Sequence, residues 1–214
     1  MGKLDENYFK PTENDSKYQS VKDILEPDEQ LLWEGKPKKQ AFLLNSFFRM
    51  FPIALIWLIF DATFIGIIIP VSKSLSPFIL IFIIVFFAFH LFPVWMWISN
   101  VLTANRQHKN IEYAFTNKRI IVKSGVIGID FKNIYYSEIN SVNLRVGIID
   151  QIMHVGDIYI KSFENATVLY DLENPYFITQ KLQKIVVDIK TDISFPNNLR
   201  PGENNGYNTK YRPL

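Results

Sequence analysis

The chain has 214 residues, of which 48% are hydrophobic and 21% charged, and its formal net charge is +2. This near balance of charge argues against general nucleic-acid binding through a basic surface. The absence of cysteine excludes a disulfide framework and thiolate chemistry, and it is compatible with a reducing cytosolic compartment. These averages resemble those of a globular protein, but they combine two long apolar segments with a polar remainder.

The chain begins with a polar, charged stretch that lacks the basic start and the small-residue cleavage site of a signal peptide. Residues 1–20 show no sustained hydrophobic period, so we expect a disordered N-terminal tail. Residues 21–46 are predicted to form a cytosolic segment before the membrane. This segment contains one short apolar run at residues 31–33, with turn residues on both sides, which indicates one strand or one helical turn.

Two apolar segments follow, at residues 51–69 and 77–99. At about 1.5 Å per helical residue, each segment is long enough to cross a hydrocarbon core of roughly 30 Å. Only residues 70–76 separate them, and this short connection favours an antiparallel arrangement. We therefore predict two transmembrane helices, at residues 47–70 and 77–100, that form a tight hairpin in the lipid bilayer.

The basic residues around the two segments predict an orientation. Lys36, Lys38, Lys39 and Arg49 precede the first segment, Arg106, Lys109, Lys118 and Arg119 follow the second, and the connection holds Lys73. Because Lys and Arg concentrate on the cytoplasmic side, both termini of this multi-pass plasma-membrane protein are predicted to be cytoplasmic. Trp95 and Trp97 fit the cytosolic headgroup level, and packing between the helices is the alternative.

Two ionisable residues interrupt the apolar segments: Asp61 in the first and His90 in the second. A carboxylate near the bilayer centre costs about 2.5 to 3.5 kcal/mol, which the Leu, Ile and Phe residues of the segment more than offset. In a simple hairpin the two residues lie at similar depth. Three roles stay open: Asp61 is protonated or bonded to His90 or Thr63, it packs in an oligomer, or it handles protons or ions.

The composition changes at about residue 111. From there to residue 172 the chain is rich in β-branched and aromatic residues, which recur in short runs with a period of two. In one such run Ile120 and Val122 alternate with Arg119, Ile121 and Lys123, which indicates a strand with one buried face. Turn residues separate these runs at positions 116–119, 124–125 and 164–167. The pattern predicts an antiparallel meander of about six or seven strands.

The hydrophobic period then becomes helical. Asn174 suits an N-cap and Pro175 suits the first helical position. The apolar face that follows consists of Ile178, Leu182, Ile185 and Ile189. We expect this amphipathic helix to close a small barrel or bent sheet, which gives a domain over residues 111–192. A disordered tail rich in Pro, Asn and Gly is predicted for residues 193–214.

Several runs in this region together resemble the bacterial pleckstrin-homology (PH) domain family. They are YAFTNKRIIVKSG at 113–125, residues 134–142, GIIDQI at 147–152, GDIYI at 156–160 and NPY at 174–176, and LLWEGKP at 31–37 resembles the motif that precedes a hydrophobic hairpin in such proteins. The resemblance implies two packed antiparallel sheets of about seven strands with a C-terminal capping helix. It implies no reaction, because the fold hosts lipid, peptide and protein recognition. The basic cluster of inositol-phosphate-binding members has no clear counterpart here.

Basic side chains in the predicted domain suggest a surface for anionic lipid headgroups. They are Lys118, Arg119, Lys123, Lys132, Arg145 and Lys161. Each basic residue near an anionic membrane surface contributes about 1 kcal/mol to binding. The alternative is a solvated strand face that only keeps the domain soluble, because acidic residues are interspersed among the basic ones. Both interpretations stay open.

Patterns for catalysis, cofactors or metals are absent from the sequence: it contains no G-x-S-x-G, no H-E-x-x-H and no phosphate-binding glycine loop, and its three histidines are far apart. We therefore expect a protein that is not an enzyme. The predicted function is a membrane-anchored binding or scaffolding protein whose partner is a protein, a second copy or anionic lipid. The alternative function is a subunit of a transport or channel assembly that uses Asp61 and His90.

Overall fold

A computed structural model describes residues 20–71, 74–163, 165–195 and Leu199. Most of both predicted tails, and Lys73 of the predicted connection, lie outside the described residues. In the described chain a short strand comes before three helices, and a β-rich region and a C-terminal helix follow them.

The first three helices are α1 (Lys39–Val71), α2 (Pro77–His90) and α3 (Phe92–Asn110). Helices α2 and α3 meet at Leu91 with a bend of 48°. The segment predicted as one span over residues 77–100 is therefore two helices. The break falls beside Pro93, which has no N–H to donate to the carbonyl of Phe89 and so interrupts the helical hydrogen bonds.

One described helix, α1, is long and apolar enough by itself to cross a membrane. The rest of the protein buries only 11% of its most apolar stretch. Helices α2 and α3 meet the same requirement only when the bent pair is taken as one span. By length and composition the described chain thus holds one candidate span, or two with the bent pair.

Two antiparallel sheets form the β-rich region. Among the described residues, the first sheet has the strand order β1 (Leu31–Gly35), β2 (Glu112–Thr116), β3 (Arg119–Ser124) and β4 (Asp130–Tyr135), and the second has the order β5 (Ile139–Arg145), β6 (Val155–Ser162) and β7 (Ala166–Glu173). A short helix, α4 (Ile148–Met153), connects β5 to β6, and α5 (Pro175–Ser194) follows β7. Antiparallel sheets followed by a C-terminal helix fit the predicted PH-like fold.

Strand β1 joins two parts of the chain that lie far apart in sequence. It precedes α1, yet it pairs with β2, which follows α3, with Leu31 opposite Thr116 and Gly35 opposite Tyr113. The short apolar run before the helices is therefore part of the domain. The PH-like domain begins in the segment that the sequence assigned to a separate region before the membrane.

The main core lies between the two sheets and α5. Ile120, Ile158 and Leu169 are fully buried there, and Leu182 of α5 packs against them. Phe42 from the first turn of α1 and Ala104 from α3 belong to the same cluster, and both are less than 4% exposed. The ends of α1 and α3 are thus built into the domain core.

Strand β3 is buried on both faces. The sequence pattern set Ile120 and Val122 against an outer face that includes Ile121, but Ile121 is also fully buried. Val21 and the residues after it cover this face and form a second, smaller core with Ile121 and Ala114. The alternation indicated a half-exposed strand because the segment that covers it is about 100 residues away in sequence.

Candidate functional site

The Asp61 and His90 side chains meet between α1 and α2. Asp61 Oδ1 lies 2.8 Å from His90 Nδ1, although the approach is too oblique for a directed hydrogen bond. Asp61 is 2% exposed. The structure therefore brings together the two residues that the sequence singled out.

Aromatic rings surround this contact. The His90 ring stacks on Trp57 and Phe86, and its centroid lies 5.5 Å from that of Phe60. Thr63, the other partner considered for Asp61, donates its hydroxyl to the backbone carbonyl of Ile59 instead. The Asp61–His90 contact is enclosed by apolar groups on both helices, which strengthens a charge interaction relative to water.

The basic residues at the β2–β3 turn bind carboxylates of the segment before α1. Lys118 Nζ lies 2.7 Å from Glu26 Oε2 and 2.8 Å from Asp28 Oδ2. The sequence assigned Lys118 to a lipid-facing surface, but in the structure its ammonium group is paired with the Glu26 and Asp28 carboxylates. Hydrogen bonds to these two carboxylates raise the pKa of Lys118 to about 12.

Arg119 and Glu29 form a buried pair. Arg119 Nε and Nη2 bind the two oxygens of Glu29 at 3.0 and 2.8 Å, and the Thr116 hydroxyl donates to Glu29 Oε1 at 2.7 Å. Burial opposes ionisation of Glu29, but the hydrogen bond from Arg119 and those from Glu26 N–H and Thr116 hold the pKa of Glu29 below its usual value. The pair fastens the N-terminal segment to the β2–β3 hairpin.

The remaining basic residues lie on four strands of the two sheets. Lys123 of β3 is 8% exposed and lies 3.6 Å from the Glu112 carboxylate. Lys132 lies on β4 in the first sheet, whereas Arg145 and Lys161 lie on β5 and β6 of the second sheet. The role of the six residues in lipid or partner binding stays a prediction.

A polar junction that the sequence did not single out joins α1 to the second sheet. The side-chain amide of Asn45 donates to Asp150 Oδ1 at 2.8 Å and also to Asp171 Oδ1. The backbone N–H of Lys38 donates to the carbonyl of Asp171 at 2.9 Å, and Lys38 Nζ donates to the Met153 carbonyl at 3.0 Å. Asn45 of α1 and Lys38, which directly precedes the helix, thus make two described hydrogen bonds each to α4 and β7.

Asp171 is the electrostatically unusual member of the junction. Burial raises the pKa of Asp171 to about 7, and the Asp157 and Asp150 carboxylates act in the same direction, whereas the Asn45 hydrogen bond opposes it. Asp171 is 2% exposed and has a left-handed backbone, with φ of 50°. The junction therefore holds a carboxyl group that titrates near neutral pH.

In the described part of the chain, no group of three or more His, Asp or Glu side chains could hold a metal ion. The junction carboxylates instead accept hydrogen bonds from Asn45 and from backbone N–H groups. The polar junction can attach α1 firmly to the β domain.

Comparison with known proteins gives the family. A model of a family described as "Bacterial PH domain" matches residues 44–187, which is more than half of the chain. The chain belongs to the bacterial PH domain family. The resemblance inferred for this bacterial PH domain protein from its residues is thereby confirmed.

The solved structures add one similar protein. It is a DUF1696 family protein with a pleckstrin-homology domain from Shewanella loihica PV-4, with 18% identity over 37% of this chain and 70% of that chain, and a TM-score of 0.29. No curated protein matches the bacterial PH domain protein described here.

Proposed function

We propose that this bacterial PH domain protein is anchored in the plasma membrane by a hairpin of α1 and the α2–α3 pair. The hairpin holds the PH-like domain at the cytoplasmic face, where the domain binds or organises a protein or anionic-lipid partner. The observation that carries this proposal is the pairing of β1 with β2 across the three helices.

The β1–β2 pairing sets a rule for membrane crossings. Because β1 ends at Gly35 and β2 begins at Glu112, both ends of the helical segment must lie on the same side of the membrane. The chain between them therefore crosses the bilayer an even number of times. If α1 crosses once, the α2–α3 pair must return, which supports a multi-pass hairpin despite the bend at Leu91.

The exposed surface of the helices is the second support. Large apolar side chains project from α1 and α2, for example Ile56 (64% exposed), Ile67 (67%), Phe78 (81%) and Phe82 (66%). A soluble protein rarely exposes a continuous apolar surface of this kind, because its transfer from water into an apolar environment is favourable. A hydrocarbon environment supplies the missing contacts.

The polar junction indicates what the anchor does. Helix α1 starts at Lys39, four positions after β1 ends at Gly35, and Asn45 then bonds to α4 and β7. The domain is therefore attached rigidly rather than through a flexible linker. Such an attachment presents one fixed face along the membrane and raises the effective concentration of weak contacts there.

Charge supports the cytoplasmic orientation. Lys36, Lys38 and Lys39 lie at the start of α1, and Arg106 and Lys109 lie near the end of α3, where both helices join the domain. Lys and Arg near the ends of membrane helices favour the cytoplasmic side. This charge distribution supports a cytoplasmic location of the domain and of both termini.

The absence of cysteine allows a direct test of this topology. Single substitutions Ser74→Cys, between α1 and α2, and Ser194→Cys, at the end of α5, place one exposed thiol on each predicted side. A membrane-impermeant maleimide applied to intact cells should label the first variant, and it should label the second only after lysis. Labelling of Ser194→Cys in intact cells would overturn the orientation, and equal labelling of both before lysis would overturn the hairpin.

Partner binding needs a separate test with the full chain, because β1, α1 and α3 contribute to the domain core. A photoreactive group at exposed Lys161 of β6 should cross-link a specific cellular protein or lipid in intact cells. The matched control places the same group at exposed Phe78 of α2, where only bilayer lipid is expected. Identical products from both positions would contradict a partner of the domain.

The Asp61–His90 contact favours a second candidate, a subunit of a transport or channel assembly. Ionisable residues within membrane helices often mark ion or proton pathways. A single two-helix hairpin offers few walls for a pathway, so this function requires several copies. Proton flux into liposomes that contain the purified protein distinguishes this function from anchoring.

A further inference from the structure

A groove of about 570 Å³ runs between α1 and α3, where the helices approach the domain. One side of it is contributed by Arg49 and Met50 of α1, and the other by α3 residues that include Trp95, Ser99 and Asn100. Neither the predicted basic surface nor the Asp61–His90 contact shares any residue with this groove.

Two hydrogen bonds beside the groove hold its walls together. Trp97 Nε1 donates to the Phe47 carbonyl at 3.0 Å, and the Asn100 amide donates to the Ser46 carbonyl at 2.8 Å. In both bonds a side chain of α3 donates to a backbone carbonyl of α1. The groove therefore lies between two helices that are bonded to each other.

The polarity of the α3 wall changes along the groove. Phe92, Trp95 and Met96 form its apolar part, and Ser99, Asn100 and Thr103 form its polar part, nearer to the domain. An indole between apolar and polar groups is typical of the membrane–water interface. The groove thus follows the chemical order of a phospholipid, from acyl chain to headgroup.

Arg49 supplies the charge. Its side chain is exposed and forms no direct ion pair among the described residues, and its charge acts at longer range on the Asp157 and Asp171 carboxylates. Side chains of a helix lean toward its N-terminus, which for α1 is the domain side, and Arg49 Cζ accordingly lies 6.0 Å from the centroid of the Tyr170 ring. The guanidinium is thus placed at the headgroup end of the groove.

We propose that this groove binds an anionic phospholipid. Its phosphate accepts hydrogen bonds from the Arg49 guanidinium, the Ser99 hydroxyl and the second amide N–H of Asn100, and its acyl chains lie along Phe92, Trp95 and Met96. Arginine suits this task because its planar N–H groups match phosphate geometry. This inference rests on the membrane insertion in the proposed function, and it assigns a lipid site outside the β domain.

The test compares lipid binding by three variants of the full chain, measured by native mass spectrometry from detergent micelles. Phosphatidylglycerol and phosphatidylcholine with the same acyl chains are titrated separately. Arg49→Gln should weaken phosphatidylglycerol binding about fivefold, the size expected for one basic residue at an anionic headgroup, and leave phosphatidylcholine unchanged. Lys39→Gln removes one charge from the same helix outside the groove and should leave both affinities unchanged. Ser99→Ala should weaken phosphatidylglycerol binding by a smaller factor.

Equal effects of Arg49→Gln and Lys39→Gln would overturn the proposal, as would equal affinities of the unaltered protein for the two lipids. Displacement of phosphatidylglycerol by millimolar inorganic phosphate would show that the site takes free phosphate instead. If Arg49→Gln fails to fold, Ser99→Ala decides the outcome. Alkaline extraction of cell membranes separates the two proposals: a protein that stays in the membrane but shows no lipid preference contradicts only the groove.

Discussion

Asp61 of α1 and His90 of α2 place Oδ1 and Nδ1 2.8 Å apart within the most apolar stretches of the two helices. If this contact fixes the rotation of one helix against the other, Asp61→Asn should lower stability in detergent by about 0.5 to 2 kcal/mol. Thermal unfolding measures the loss. Thr63→Ala is the matched control, because the Thr63 hydroxyl bonds only to the backbone of its own helix among the described contacts.

The same variant decides between anchoring and transport. For an anchor, proton flux into liposomes should stay at background for the unaltered protein and for Asp61→Asn. A flux that is present in the unaltered protein and lost in Asp61→Asn, but kept in Thr63→Ala, would establish the transport candidate instead.

The buried pair of Arg119 and Glu29 gives the second prediction. Arg119→Met leaves the Glu29 carboxylate buried without its main partner and should lower the free energy of unfolding by about 3 to 5 kcal/mol. Lys118→Met removes the adjacent charge at a partly exposed position and should have a much smaller effect. Chemical denaturation of the full chain checks both values, and similar losses in the two variants would contradict a special role of the buried pair.

The pKa of Asp171 predicts a dependence of stability on pH. Folding raises the pKa of Asp171, so the folded protein holds this carboxyl more favourably in its protonated form. The free energy of unfolding is therefore highest below the pKa of the unfolded chain, and it falls as pH rises through about 7. Between about pH 6 and pH 8 the loss should be about 1 kcal/mol. Asp171→Asn should flatten this dependence, and asparagine tolerates the left-handed backbone at this position.

The control for this titration is Asp130→Asn on the exposed part of β4. It should retain the full decline in stability between about pH 6 and pH 8. Thermal unfolding at several pH values makes the comparison. A decline that survives in Asp171→Asn would assign the titration to another group.

Asn45 gives a fourth prediction because it joins α1 to two carboxylates. Asn45→Ala removes the donor to Asp150 and Asp171 and should lower the free energy of unfolding by about 1 to 3 kcal/mol. The Lys38 amide, which bonds to the Asp171 carbonyl, should then exchange its hydrogen faster. Asn133→Ala, at an exposed position on β4, should change neither quantity. Protection of the Lys38 amide that is unaltered in Asn45→Ala would show that other contacts hold the junction.

Local patterns predicted the elements whose neighbours are close in sequence. The period of α5 placed Ile178 and Leu182 in the core, where both are buried, and Pro175 opens the helix as expected. Asn174 takes the N-cap position but has a left-handed backbone and makes no side-chain cap. The break at Leu91 could also have been inferred, because Pro93 stands inside the predicted span and removes a hydrogen bond.

Contacts across the helical segment could not be predicted from local patterns. Arg119 was assigned to a surface because its partner Glu29 lies 90 positions earlier in the chain. Asn45, Asp150 and Asp171 come from three separate elements, so no spacing in the sequence brings them together. The acidic run at positions 26–29 was the available signal, because it is complementary to Lys118 and Arg119 at the β2–β3 turn.

The position of β1 before the helices has a consequence for biosynthesis. The ribosome completes β1 long before it makes β2, so the first sheet cannot form until the intervening helices have been made. For the membrane hairpin that we propose, a molecule in which α1 inserts and the α2–α3 pair fails to return would leave the two strands in different compartments. Its β2 edge would stay unpaired, and cellular proteases could remove the molecule. Folding of the domain would then act as a checkpoint on insertion of the hairpin.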